Sequence, residues 1–217
     1  MPASSAATQN ATRSAASLYF NPLLLVCLLT LAGCITQPPL EPTATNWNEH
    51  RIQLQAMQQW TASGKLALRT PEQSESASML WQQRNASTRL VLSGPVGLNV
   101  TTIESDGVLL TVTQGDDVQV LDVSSPDAIR SSTGWDLPLQ ALHYWLKGLP
   151  SPHSQPQAIQ LDDTGTHLAR LQQDSWQISY AQYETHDGLL LPGRMTITKG
   201  DTRLRIILRQ WQASIAL

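Results

Sequence analysis

From residue 47 to the C-terminus, apolar residues recur at every second position in short runs, and turn signals separate the runs. Strands are expected near 64–69, 77–83, 88–92, 98–103, 108–113, 118–123, 157–161, 167–172, 175–183, 193–198 and 202–211. Between many of them stand turn-forming clusters: Ser105-Asp106-Gly107, Gly115-Asp116-Asp117, Asp163-Thr164-Gly165, His186-Asp187-Gly188 and Gly200-Asp201. Spacing this close leaves no room for crossover helices, so a parallel α/β fold is excluded and an antiparallel meander is implied.

Three stretches break the rhythm. Residues 47–60 place Trp47, Leu54, Met57 and Trp60 at roughly helical intervals. Residues 125–132 open with Ser125-Pro126-Asp127, an N-cap followed by proline at the first helical position. In PLQALHYWLK (138–147), Leu139, Leu142, Trp145 and Leu146 share one face, and the helix should stop at Gly148. About eleven strands with three short helices make an α+β fold, a sheet with helices packed on one face.

The N-terminus is an address rather than a fold. Arg13 precedes an apolar run from Leu18 to Leu31, fourteen residues and too short for a membrane span, which needs about 20. This is the form of a secretory signal. The run ends in Leu31-Ala32-Gly33-Cys34, which resembles the bacterial lipobox. That resemblance implies cleavage after Gly33, diacylglycerol on the Cys34 thiol and acylation of the new N-terminus. Cys27 would leave with the signal. Ile35, rather than Asp, follows the cysteine and favours the outer over the inner membrane. Residues 34–46 hold three prolines and little to bury, as expected of a lipid-anchored tether, and 47–217 form the folded domain.

The remaining composition narrows the function. Fourteen Lys and Arg against 17 Asp and Glu leave a net charge of −3, which excludes a nucleic-acid binder driven by bulk positive charge. The one Phe is Phe20, inside the signal, so the domain relies on seven Trp and abundant Leu. Such side chains suit either a filled core or a cavity open to an apolar ligand. The acidic residues of 104–136 and the basic ones of 194–211 suit two solvated faces, or a docking contact by charge. His50, His143, His153, His167 and His186 show no metal-ligand spacing, no phosphate loop is present, and the Ser-Ser pairs lack a GxSxG setting. Asp162-Asp163 reads as a hairpin cap. No metal, cofactor or enzymatic activity is expected.

Several segments resemble, in order, the LolB family of outer-membrane lipoprotein receptors. These are Met79-Leu80-Trp81-Gln82-Gln83, TRLVLSGPVGL (88–98), LPLQALHYWLKGLP (137–150), Asp174-Ser175-Trp176, and a final strand from Arg203 to Trp211. The resemblance spans nearly all of 46–212. It implies a strongly curved antiparallel half-barrel of about eleven strands, with helices covering the concave face and a hydrophobic cavity between them. It also implies a monomer that accepts lipoprotein acyl chains from a LolA-like periplasmic carrier and places them in the outer membrane. Cavity candidates by this match are Leu80, Trp81, Leu142, Trp145, Leu146 and Trp176, each with a plain core anchor as the competing role.

Gly94-Pro95-Val96-Gly97 reads from its residues as a type I turn with Val96 outward, which alone suits a routine hairpin. The resemblance makes Pro95, Val96, Gly97 and Leu98 a membrane and cargo-transfer loop, with Val where the family usually carries Leu. Two other readings stand beside the receptor: a structural envelope lipoprotein with a filled core, and a small lipid-binding hydrolase.

Overall fold

The computed structural model describes residues 44–122 and 138–214. Cys34, the signal and the expected helix at 125–132 lie outside the described residues. Eleven strands form a single open sheet: β1 Gln59–Arg69, β2 Ser74–Arg84, β3 Ser87–Ser93, β4 Thr101–Ser105, β5 Leu109–Gln114 and β6 Asp117–Asp122, then β7 Ala158–Leu161, β8 Leu168–Gln173, β9 Trp176–His186, β10 Leu189–Lys199 and β11 Thr202–Ser214. Their order is β6-β5-β4-β3-β2-β1-β11-β10-β9-β8-β7, antiparallel throughout. The meander is therefore interrupted once, where the first and last strands pair in the middle. Two α-helices among the described residues accompany it, α1 (Trp47–Ala56) and α2 (Leu139–Leu146). No helix among the described residues is long and apolar enough to cross a membrane.

Every expected strand is present, but β1 begins earlier than the sequence suggests. The helical spacing of Leu54, Met57 and Trp60 implies a helix through residue 60. Instead the chain leaves the helix at Met57, with ψ at 83°, and Trp60 enters the sheet. There its ring lies against Trp81 at 6.1 Å and Trp211 at 5.2 Å, on the two neighbouring strands. Cross-strand packing decides against the local period.

Along most strands one side is buried and the other exposed, so the sheet has an inner apolar face and an outer polar one. All residues of the core lie between Leu54 and Trp211, so a chain starting at residue 39 carries the whole of it. At Gly64 the register with β11 shifts, leaving Arg209 as an extra residue. A Cβ there would stand 2.0 Å from the Ile207 carbonyl oxygen, so only glycine admits this approach.

Helix α1 is capped by Asn46, whose side chain accepts from the Glu49 N–H at 3.1 Å. It is then tied down at long range. The Trp47 N–H donates to the Gly165 carbonyl at 3.0 Å, and the buried His50 ring lies between the carbonyls of Thr166 (3.0 Å) and Leu190 (2.7 Å). Asp162 does cap its turn, accepting from the N–H groups of Thr164, Thr166 and His167.

Candidate lipid-binding cavity and its loop

Helix α2 is apolar on nearly all sides: Leu139, Ala141, Leu142, Trp145 and Leu146 are all buried. It ends where the sequence places the stop. Gly148, at φ 81°, is followed by Leu149, whose N–H reaches back to the Tyr144 carbonyl at 3.1 Å, a Schellman closure. The three leucines of α2 face the inner side of five adjacent strands. Together they enclose a wholly apolar space with Leu66, Met79, Trp81, Leu90, Ile103, Leu204 and Ile206. For β4, β3, β2, β1 and β11 to converge on one short helix, the sheet must curve around it.

The free volume at the centre is about 10 Å³, room for no more than one water. No polar group lines it, so nothing there would hold a water in place. The side chains of α2 and of the inner face fill the rest of the space.

Several polar bonds hold the C-terminal half of α2. The Trp145 indole N–H donates to Gln173 Oε1 at 2.9 Å, and the Tyr180 hydroxyl donates to the Trp145 carbonyl at 3.0 Å. Lys147 Nζ donates to the carbonyls of Leu54 and Met57, both at 3.1 Å, and so closes the C-terminal end of α1. The N-cap residue, Pro138, makes no side-chain cap bond.

Lys147 is 4% exposed and, among the described residues, forms no salt bridge. Burial pushes its ammonium down to about 8, and burial together with the charge of Lys147 pushes His143 down to about 4. The unfolded chain therefore holds the Lys147 proton to higher pH than the folded one. Stability from this group is fully present above pH 10.5 and is lost as the pH falls through 8. The buried phenols of Tyr180 and Tyr183, both pushed up by burial, act in the opposite sense above pH 10. Subtracting a Lys147→Met denaturation series from the wild-type series should isolate a rise on the order of 3 kcal/mol between pH 8 and 10.5. A flat difference would show that Lys147 keeps its proton when buried.

Among the six cavity candidates, Trp81, Leu142 and Leu146 line the apolar space. Trp145 and Trp176 are buried together in the adjoining core, ring centres 6.4 Å apart, with Lys199 Nζ 5.3 Å from the Trp176 ring. Leu80 points to the outer face and is 37% exposed. Two buried glutamines that sequence reasoning passed over organise the polar part. Gln173 accepts from Trp145 and from the Ser151 N–H, and donates to the carbonyls of Ser151 and Ser154. Gln83 accepts from the Trp81 indole at 3.0 Å and the Thr88 hydroxyl at 2.7 Å, and donates to the Asn85 carbonyl. Both fall on the inward parity of their strands, next to Leu171 and Trp81, and that parity was the available signal.

The loop after β3 departs from the expected type I geometry. The Gly97 N–H closes on the Gly94 carbonyl at 3.1 Å, but Val96 sits at φ 60°, ψ 18°, as in the third position of a type II turn. A β-branched residue is strained there. Its side chain is 96% exposed, and Leu98 and Val100 beside it are 67% and 43% exposed. Three apolar side chains thus project in sequence from one end of the sheet.

Comparison with known proteins agrees with this architecture. Residues 58–211 match the family Outer membrane lipoprotein LolB. The outer-membrane lipoprotein LolB of Stutzerimonas stutzeri is 36% identical over 200 residues, covering 88% of this chain and 94% of that protein. The Cellvibrio japonicus protein of the same description is 35% identical, covering 89% and 98%. Among solved structures, a DUF1329 family protein from Desulfovibrio piger shares the fold at TM-score 0.51 and 10% identity, covering 77% of this chain and 90% of that one. A lipoprotein-sorting protein domain from Vibrio parahaemolyticus does so at 0.51 and 7%, covering 78% and 91%. With an open eleven-stranded sheet closed over by an apolar helix, and a sequence match across nearly all of it, this chain belongs to the LolB family of outer membrane lipoproteins.

Proposed function

We propose that this protein is the outer-membrane receptor that takes lipoproteins from a LolA-like periplasmic carrier and inserts them into the outer membrane. The observation that carries the reading is the space between α2 and the inner face, lined only by apolar side chains in a chain of this family. A lipoprotein acyl chain of about 15 methylenes loses on the order of 12 kcal/mol if exposed to water, at about 0.8 kcal/mol each. Cargo must then pass directly from one apolar cavity to another and on to lipid. With no nucleotide involved, direction comes from successively tighter binding. Trafficking of this kind requires no catalytic group.

In the ligand-free state α2 fills the cavity, so acyl chains enter by displacing it. The bonds of its Trp145–Lys147 end to Gln173, Tyr180 and the carbonyls of α1 anchor that end of the helix. Trp81, Leu142 and Leu146 would contact the chains, and Val96 with Leu98 would engage the bilayer. Cys34 would carry the lipid anchor and hold residues 47–217 on the periplasmic side as a monomer.

The test is an incubation of a carrier–lipoprotein complex with a soluble chain of residues 39–217, followed by separation of the two proteins. Cargo should move to the receptor, and Leu142→Asp should prevent the transfer. If a fluorescent fatty-acid probe fails to bind and cargo stays on the carrier, the space is merely a filled core.

A further inference from the structure

The outer face of the two central strands is a field of exposed cations. The outward residues of β1 include Lys65 and Arg69, and opposite Ala67 and Arg69 in the ladder stand Arg205 and Arg203 of β11. Arg209 continues this row, and Arg194 lies opposite Ile207 from the β10 side. All six are exposed. Among the described residues none of them takes part in an ion pair, and the one salt bridge that uses a lysine or arginine is Arg89–Glu104. In a chain with more acidic than basic residues, bulk composition does not account for such a face.

Its position is equally specific. One shallow groove of about 550 Å³ is bordered by Lys65 and Arg205 on one side and by Gly94–Gly97 on the other, with no carboxylate. The next groove is bordered by Arg69, Arg203 and Arg205, with Asp201 its one acidic residue. The exposed Val96 tip and the cations therefore share one continuous surface.

We propose that this surface is a docking face for the phosphate headgroups of an anionic phospholipid bilayer, so that Val96 enters the acyl region while Lys65, Arg203 and Arg205 hold the lipid phosphates. This rests on the receptor reading only in taking a bilayer as the destination. An apolar insertion point beside clustered basic residues supplies the two signals that stable, oriented membrane binding needs. Each basic residue at an anionic surface strengthens attachment on the order of five-fold. An acidic carrier would match the charge as well. However, the cations lie on the face opposite the cavity, whereas a carrier must present cargo to the cavity, and the apolar tip in the same groove suits lipid.

Residues 39–217, free of cargo, are sedimented with vesicles of phosphatidylcholine alone or mixed with phosphatidylglycerol. The anionic lipid should raise binding by about ten-fold or more, and added salt should reverse the gain. The paired exchange Arg203→Glu/Arg205→Glu should erase the gain while leaving the thermal melt and the weak binding to phosphatidylcholine unchanged. Equal binding to both vesicles overturns the proposal, as does retention of the gain by the paired variant. It is also overturned if that variant keeps its vesicle preference but loses cargo uptake, which would make this the carrier's face. Cargo uptake measured without vesicles judges the receptor reading separately.

Discussion

Val96→Glu should leave cargo stranded: the variant accepts lipoprotein from the carrier as well as wild type but releases little of it into vesicles. Val96 is 96% exposed, so its replacement leaves the core untouched. Burying a valine side chain in lipid contributes on the order of 2 kcal/mol, which is about thirty-fold in the occupancy of the inserted state. A carboxylate at the same point opposes insertion further. Because Val96 is β-branched and sits at φ 60°, glutamate relieves strain and the melt should be unchanged or slightly higher. Val96→Leu supplies the opposite arm. It adds about one methylene, about 0.8 kcal/mol, and should speed delivery by roughly four-fold. Cargo retention assayed with and without vesicles separates uptake from delivery. Normal delivery by Val96→Glu would remove the loop from the mechanism.

The second large effect concerns stability. Gln173 is fully buried and uses its amide on four sides: two donors to its oxygen, two carbonyls for its nitrogen. Gln173→Leu strands the Trp145 N–H, the Ser151 N–H, and the carbonyls of Ser151 and Ser154. Each unsatisfied buried group costs about 1–3 kcal/mol, with some recovered by relaxation, so the total should be on the order of 4 kcal/mol. That is a large part of the stability of a domain this size and should lower the melting temperature by about 10 °C. Gln173→Glu keeps both acceptors, loses both donors and buries a charge, so it should fare no better. A loss below about 1 kcal/mol in a urea titration would mean that water replaces the side chain.

The sheet was legible because alternation is a local property. Each strand announces itself through its own residues and its own turns, as Asp106 and Asp162 do by capping the turns they occupy. What escaped was decided at a distance. Trp60 fits a helical period after Leu54 and Met57, and only Trp81 and Trp211 draw it into β1. Lys147 reads as the polar end of an amphipathic helix, and its burial comes from α1 docking over it. The apolar loop was visible as Gly-Pro-Val-Gly, but the left-handed Val96 was not, since valine is among the residues least suited to that conformation.

For the cavity, sequence left open whether Leu and Trp fill a core or line a space, and both occur. Trp145 and Trp176 pack in the core, while Trp81, Leu142 and Leu146 line the nearly filled apolar space between α2 and the sheet. Residues 88 to 98 and 137 to 150 pointed to the family before any geometry did, and they hold the exposed Val96 loop and the apolar helix α2.

The pairing of β1 with β11 has a consequence for how the chain acquires its shape. Ser63 and Gln210 hydrogen-bond across this seam although they lie 147 positions apart in sequence. Each flank can form hairpins from near neighbours, but neither has its final partner until the last strand exists. Loop-closure entropy for so long a segment must be met before the ladder returns any of it, which makes folding slow. The complete sheet therefore exists only after the last strand is made, when both ends of the domain meet across the β1–β11 seam.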